Sequence, residues 1–188
     1  MRILAISGSL RRDSHNTALL RAAAELLPPD VEVVHYEGLA AIPGFNEDEV
    51  GDRPVPVRDL WDAVAAADGV LISTPEYNSS IPGVLKNALD WLSRPLVDSP
   101  LKNKPVAVIG ASTGMFGAVW SQAETRKVLS AIGARVIDRE LPVPTAHEQF
   151  AESGRLSDAE LEAELVISLT ALTDAVTERA RRQAAAAS

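Results

Sequence analysis

Cysteine is absent from this 188-residue chain, and aromatic residues make up only 4% of it. Without cysteine the chain has no disulfide framework, no zinc–thiolate site, no iron–sulfur ligands and no cysteine nucleophile. The three histidines, His15, His35 and His147, show no metal-ligand spacing, so we expect no metal site. Redox chemistry in this protein would therefore have to come from an organic cofactor.

Basic residues and long apolar runs are also scarce. The 18 basic residues against 26 acidic ones give a net charge of −8, which on average repels phosphate-rich polymers. No apolar run approaches the ~20 residues that span a bilayer, and Ser7 and Gly8 end the first one too early for a signal peptide. We expect a cytoplasmic protein with neither nucleic-acid nor membrane partners.

Five short runs rich in β-branched residues predict strands. Unbroken apolar stretches inside three of them are typical of parallel strands that are buried on both faces. The five runs are Arg2–Ser7, Val31–Tyr36, Gly69–Thr74, Pro105–Ser112 and Ala134–Asp138.

Apolar residues spaced by three and four positions predict a helix after each strand. The fourth helix is predicted from Val119 to Ile132, closed by Gly133, and the fifth from a capping box at Ser157–Glu160. This alternation predicts an α/β flavodoxin-like three-layer sandwich: a five-stranded parallel sheet of order 2-1-3-4-5 with helices on both faces. We expect a single domain over residues 1–183 and a frayed tail over 184–188.

Ligands of such sheets bind outside the carboxyl ends of the strands, where the strand order reverses. The loops at this point are 8–16, 75–82 and 113–118. The first offers hydroxyls, an amide, two arginines and the N–H groups of a helix start, and residues 1–29 carry a net charge of +2. The loop therefore suits a small phosphorylated ligand, although an ordinary solvated loop with an N-cap serine remains an alternative.

The second loop is closed at its ends by Pro75 and Pro82. A rigid backbone between two prolines can present N–H and C=O groups to a flat polar ring. Neither a Gly-Lys-Ser/Thr phosphate loop nor a Gly-x-Gly-x-x-Gly fingerprint is present, which argues against an ATPase or a Rossmann dehydrogenase.

These loops together resemble the NAD(P)H-dependent FMN reductases, which include bacterial chromate and quinone reductases. The resemblance rests on Gly-Ser-x-Arg-x-x-Ser-x-Asn after the first strand, Pro-Glu-Tyr-Asn-x-x-Ile-Pro-x-x-Leu-Lys-Asn-Ala-x-Asp-Trp after the third, and a Gly-rich turn after the fourth. It covers roughly residues 2–145. Where the family often has a second glycine, this chain has Ala118.

The resemblance implies FMN as cofactor and a binding site built from all three loops. The phosphate would be held by Ser9, Arg11, Ser14, Asn16 and Thr17, and the isoalloxazine edged by Pro75, Glu76, Tyr77 and Asn78. The far side of the ring would be lined by Ser112, Thr113, Gly114 and Gly117, with Met115 and Phe116 at its rim. Gln122 and Arg126 match the family's next helix, yet from the sequence alone they are ordinary surface-helix residues.

The implied function is hydride transfer from NADPH or NADH through FMN to quinones, flavins, azo compounds or oxidised metal ions such as chromate, by a ping-pong mechanism. The resemblance also implies a homodimer or homotetramer. Trp91 is either a core residue or the anchor of that interface, and as an anchor it would have Trp120 nearby.

Two other functions are compatible with parts of the sequence. Gly110–Gly114 matches the Gly-x-Ser-x-Gly elbow of serine hydrolases, and Asp138 and His147 follow Ser112 in the required order. A flavodoxin-type electron carrier would share the fold, but the hydroxyl-rich phosphate loop typical of flavodoxins is missing.

Overall fold

A parallel sheet forms the centre of the computed structural model, which describes residues 1–187. Its strand order β2-β1-β3-β4-β5 confirms the predicted flavodoxin-like topology, and a sixth short strand pairs with β4. The strands are β1 (Arg2–Ser7), β2 (Glu32–Tyr36), β3 (Gly69–Thr74), β4 (Pro105–Ala111), β5 (Arg135–Val136) and β6 (Pro142–Val143).

Five helices cover the two faces of the sheet. They are α1 (His15–Leu26), α2 (Val55–Ala66), α3 (Gly83–Leu92), α4 (Val119–Ile132) and α5 (Ala159–Ala187). Helices α1 and α5 contribute to the apolar core on one face, and α2, α3 and α4 to the core on the other. Within residues 1–187 no helix combines the length and the apolarity that crossing a membrane requires.

The last position of the sheet differs from the prediction of one continuous strand over Ala134–Asp138. Two short strands occupy it: β5 pairs with the start of β4, and β6 pairs with its end. Between them Asp138 and Glu140 both form ion pairs with Arg126, which draws this charged segment out of the sheet. The apolar pattern could not show this interruption because it depends on a side chain from α4.

Both ends of α5 also differ from the expected boundaries. The side chain of Asp158, not Ser157, accepts hydrogen bonds from the first helical N–H groups, at 2.8 Å from Glu160 and 3.3 Å from Leu161. At the other end the helix continues through Ala187, into the segment expected to fray; alanine is the strongest helix former, which favours this continuation. Ser188 lies outside the described residues.

Trp91 on α3 is completely buried within a single chain. Its indole Nε1 donates to the carbonyl of Pro43 at 2.9 Å, and its ring meets Phe45 edge-on at 5.1 Å between centroids. The side chain thus fixes the long loop after β2. The expectation that Trp91 anchors a subunit interface is wrong, because no part of its surface is available to a partner.

A buried lysine closes the C-terminal end of α2. Lys104 precedes β4, is 2% exposed, and donates through Nζ to the carbonyls of Val64, Ala65 and Ala67. Removal from water and then the nearby charge of Arg179 lower the pKa of Lys104 to about 8, against a smaller opposing effect of Asp68.

This lysine should make stability depend on pH. In the unfolded chain a lysine keeps its proton up to about pH 10.4. Between about pH 8 and about pH 10.4 the unfolded chain therefore binds more protons than the folded chain. In this range the free energy of unfolding rises with pH. We expect the stability advantage of the wild type over Lys104→Met, measured by urea unfolding, to grow from about pH 8 to about pH 10.

At neutral pH the same variant should lose about 1–3 kcal/mol, because three carbonyls lose their donor. The matched control is Lys102→Met, two residues away and exposed, which should show no such pH trend. Parallel pH profiles for wild type and Lys104→Met would contradict the assignment.

Candidate functional site

The three predicted loops meet at the carboxyl edge of the sheet around a small cavity of about 100 Å³. Nine of the predicted site residues line it, together with His15 and Ala111: Ser9, Arg11, Ser14, Asn16, Pro75, Glu76, Tyr77, Ser112 and Thr113. The other six predicted residues belong to the same loops or to α1 without lining the cavity: Thr17, Asn78, Gly114, Met115, Phe116 and Gly117. We call this cavity the loop cavity.

The first loop presents unused hydrogen-bond donors. Ser14 caps α1 by accepting from the N–H groups of Asn16 and Thr17. The backbone N–H groups of residues 12–15 have no acceptor within the part of the chain that the structure describes. Arg11 and Arg12 are exposed and form no ion pair with any described residue. A helix start with free N–H groups and two free guanidinium groups is suited to an anion.

Asn16 holds the loops together through its side chain. It is 3% exposed; its Oδ1 accepts from Ala111 N at 3.0 Å and from Ser73 Oγ at 2.8 Å, and its Nδ2 donates to Ala111 O at 2.9 Å. This one amide therefore joins α1, β3 and β4. Asn16 therefore positions the loops, and only one of the two N–H groups on its Nδ2 is used in a hydrogen bond among the described residues.

Thr17 is likewise engaged within the protein. Its Oγ1 donates to Ser7 Oγ at 3.1 Å, and that oxygen lies 3.3 Å from the backbone N of Ser9. Thr17 thus supports the beginning of the first loop from behind. Ser7 and Ser73 were missed by the sequence analysis, since serines inside strands carry no local signal of such a role.

A tight turn shapes the second loop. Tyr77 and Ser80 exchange two backbone hydrogen bonds of 3.2 Å, and both residues between them, Asn78 and Ser79, have positive φ, as in a type I′ turn. Asparagine tolerates this conformation better than most residues. The loop is thus rigid, as its two prolines predict.

Two carboxylates attach the second loop to α4. Glu76 accepts from the backbone N–H groups of Trp120 at 3.0 Å and Ser121 at 3.2 Å, and so caps the N-terminus of the helix. Glu124 accepts from Ser80 Oγ at 2.6 Å. The Glu76 side chain therefore points to α4, which leaves the backbone of Pro75–Tyr77 to face the loop cavity.

Close backbone packing fixes the third loop. A Cβ on Gly117, whose φ is +57°, would lie 2.6 Å from backbone atoms of Pro142 and Val143, so no larger residue fits without movement. Ser112 Oγ accepts from Gly114 N at 2.9 Å, and the N–H groups of Met115 and Phe116 have no acceptor in residues 1–187.

Gln122 is not the surface residue that its helical position suggested. It is fully buried: its Nε2 donates to Gly117 O at 3.1 Å and its Oε1 accepts from Leu141 N at 3.0 Å. A Cβ on Gly110 would come within 2.9 Å of this amide, which explains a glycine inside β4. Arg126 is also mostly covered and pairs with Asp138 and Glu140. The only sign in the sequence that Gln122 and Arg126 are more than surface residues was their match to the corresponding helix of the FMN reductases.

The arrangement excludes the serine-hydrolase interpretation. Asp138 pairs with Arg126, and His147 lies 3.4 Å from the carboxylate of Glu148. Helix α4 begins at Val119 and not at the serine, and Ser112 Oγ is turned toward the N–H of Gly114. No hydrogen bond among the described residues joins Ser112 to His147, so the three residues form no triad.

His15 is the unpredicted side chain at the loop cavity. Burial, and then the charges of Arg11 and His147, lower its pKa, and its ring lies parallel to Phe150 at 6.2 Å between centroids. His15 is therefore mainly neutral at pH 7. Nowhere in residues 1–187 do three His, Cys, Asp or Glu side chains form a group able to hold a metal ion.

Ala118 occupies a left-handed conformation, with φ 63° and ψ 31°. Glycine there would relieve about 1–2 kcal/mol of backbone strain but lose about 1 kcal/mol in methyl burial and extra unfolded-state freedom. We expect Ala118→Gly to change the free energy of unfolding by less than about 1 kcal/mol. Ala88→Gly, at a buried right-handed position in α3, should cost about 1.5–2 kcal/mol. If chemical denaturation showed the same loss in free energy of unfolding for Ala118→Gly and Ala88→Gly, the backbone strain inferred at Ala118 would be contradicted.

Comparison with known proteins identifies the family of the chain. The family model of NADPH-dependent FMN reductases matches residues 1–148. The chain is 39% identical to an NAD(P)H-dependent FMN reductase of Pseudomonas aeruginosa, over 84% of this chain and 85% of that protein. It is 44% identical to a 2-hydroxy-1,4-benzoquinone reductase of a Burkholderia species, over 68% and 69% of the two chains.

A solved structure is similar over nearly the whole length. The flavoenzyme FerB of Paracoccus denitrificans, an NAD(P)H:(acceptor) oxidoreductase, superposes with a TM-score of 0.83 at 33% identity, covering 94% of this chain and 97% of its own. The resemblance seen in the loop motifs is thereby confirmed, and the chain belongs to the NADPH-dependent FMN reductase family of oxidoreductases.

Proposed function

We propose that this protein binds FMN at the loop cavity and uses it to transfer electrons from NADH or NADPH to small acceptors in the cytoplasm. The observation that carries the proposal is the set of unused donors in the first loop, beside two unpaired arginines and opposite the free N–H groups of Met115 and Phe116 in the third loop. An acidic chain that gathers such donors at one point is suited to a small phosphorylated ligand.

The residues present fit the phosphate end of FMN. The N–H groups of residues 12–15, the hydroxyl of Ser9 and the guanidinium of Arg11 supply donors to a dianion, and no carboxylate of the first loop lines the loop cavity. The hydroxyl oxygen of Ser14 caps α1 as an acceptor, which leaves its O–H free to donate to the phosphate. Thr17 acts indirectly by holding the loop in place, and Asn16 does so while keeping one N–H of its amide for a ligand.

The second and third loops fit the ring end. The enclosed volume of about 100 Å³ holds only part of a nucleotide, so the ring would extend over the open surface beside it. There Glu76 offers backbone groups on one side, and Met115 and Phe116 offer N–H groups on the other. Donors of this second set would stabilise negative charge on the ring, and the glycines permit close approach.

FMN bound here would supply the redox chemistry, namely transfer of a hydride from reduced nicotinamide and then of two electrons to an acceptor, so the protein needs no nucleophile. The chain's task is to bind, orient and expose the ring. The open side is bordered by Tyr77, Met115 and Phe116, all about half exposed or more, and no cluster of convergent polar groups restricts it. We therefore propose a broad range of acceptors: quinones, flavins, azo compounds and chromate.

We further propose that two or four copies assemble through the surface beside the site. The rings of Phe116 and Trp120 meet edge to face, with centroids 4.9 Å apart. Both side chains are about half exposed, and the neighbouring Met115 is 73% exposed. We call these three residues the aromatic patch. Large aromatic side chains at a protein surface are typical interface anchors. A second copy docked there would adjoin the loop cavity.

Replacing Arg11 by alanine tests the phosphate site. Losing one charge-assisted contact should weaken FMN binding about 10- to 150-fold, measured by quenching of FMN fluorescence. Arg12→Ala serves as the matched control and should cost less, because Arg12 does not line the loop cavity. Riboflavin should bind weakly to the wild type and respond little to either change. Equal affinities for FMN and riboflavin would refute the phosphate site.

Steady-state kinetics test the proposed reaction. With NADPH and a quinone varied together, a shared open face predicts parallel double-reciprocal lines, because the donor must leave before the acceptor enters. Ser112→Ala should retain most of the activity. Intersecting lines would show that donor and acceptor bind together, and the ping-pong proposal would fail.

Removing Trp120 tests the assembly. We expect the wild type to sediment as a dimer or tetramer at low micromolar concentration, and Trp120→Ser to shift the population toward monomer. Val55→Ser removes an equally exposed apolar side chain at the start of α2 and should leave the distribution unchanged. A monomeric wild type would end the proposal.

A further inference from the structure

Basic side chains surround a second cavity at the opposite edge of the sheet, where β4 and β5 begin. This cavity has a volume of about 430 Å³ and lies between the turn before β4 and the last turns of α5. Its lining is Lys102, Asn103, Arg135, Arg179, Arg182, Gln183 and Ala186. We call it the basic cavity. The proposed electron transfer makes no use of it.

The charges around the basic cavity are not balanced by the protein. Glu178 is the one acid that pairs with its lining among the described residues, and Arg135 and Arg182 share its two oxygens. The two arginines hold the pKa of Glu178 below its usual value, so this carboxylate stays ionised. Lys102 and Arg179 have no ion-pair partner within residues 1–187. Four cations thus face one anion.

Part of this positive charge is held inside the protein surface. Arg179 is half-buried, and it lies close enough to the buried ammonium of Lys104 to help lower the pKa of that lysine. Crowding like charges away from water costs free energy unless an anion joins them. Asp68 opposes this effect on Lys104 only in part, and no acid pairs with Lys102 or Arg179 within residues 1–187. The remaining positive charge points to an anion from solution.

We propose that the basic cavity binds a small soluble polyanion with two or more phosphate groups, such as a pyrophosphate or triphosphate. The cations lie on three separate elements: α5, β5 and the turn before β4. A ligand with several charged groups can therefore contact all of them at once. One guanidinium group can donate to two phosphate oxygens at once, and several such groups favour a ligand with several phosphates over a single carboxylate. The lining contains no aromatic ring, so recognition would be of the phosphates and not of an attached base.

Calorimetric titration with sodium tripolyphosphate at constant ionic strength tests this proposal. We expect the wild type to bind one equivalent and Arg179→Gln to lose about tenfold or more in affinity. Arg181→Gln is the matched control: it removes the same charge from the neighbouring position of α5, but Arg181 does not line the basic cavity. Lys102→Gln provides a second test outside the helix, should the α5 variant lose stability in thermal unfolding.

The Arg11→Ala variant separates the two phosphate sites. It should bind tripolyphosphate as the wild type does, whereas a loss there would assign the binding to the loop cavity. If Arg179→Gln and Arg181→Gln lost the same affinity for tripolyphosphate, the effect would come from net charge alone, and the basic cavity would not be the binding site. Absence of binding by the wild type, or binding only to anionic lipid vesicles, would overturn the proposal. The Arg179, Arg181 and Lys102 variants lie outside the loop cavity, so their outcomes are independent of FMN binding.

Discussion

The amide side chain of Asn16 is the contact on which the carboxyl edge of the sheet depends. It satisfies both backbone polar groups of Ala111 and the hydroxyl of Ser73. Asn16 thereby fixes the start of α1 against the ends of two strands, β3 and β4. The same contacts hold the unused donors of the first loop beside the loop cavity.

Elements with a strong internal signal could be predicted from the sequence. Strands β1, β3 and β4 each contain an unbroken apolar stretch, and α4 has both a regular pattern and a terminating glycine at position 133, so the sheet order and the bounds of α4 could be predicted. The split of the last strand could not be predicted, since it depends on Arg126 reaching Asp138 and Glu140 from another element. Trp91 was misassigned because its partner, Pro43, lies on a distant irregular loop.

The site divides in the same way. Motif spacing brought together the loops and most residues of the loop cavity, because parallel strands deliver their carboxyl ends to one edge. It could not distinguish groups that face a ligand from groups that hold the loops: Asn16, Thr17 and the carboxylate of Glu76 all serve the scaffold. Gln122 shows the converse, since a polar residue on an amphipathic helix gives no sign of being buried until its two backbone partners are known.

The carboxylate of Glu76 joins the second loop to the first residues of α4. One of the hydrogen bonds that it accepts comes from the backbone N–H of Trp120, a residue of the aromatic patch. The backbone of Pro75–Tyr77, which we propose binds the ring, is therefore joined to the exposed aromatic surface by a single hydrogen bond. If copies associate through that surface, protein concentration becomes a variable of catalysis: dilution would release Trp120, loosen the helix start that Glu76 caps, and alter the ring-binding edge before any cofactor is lost.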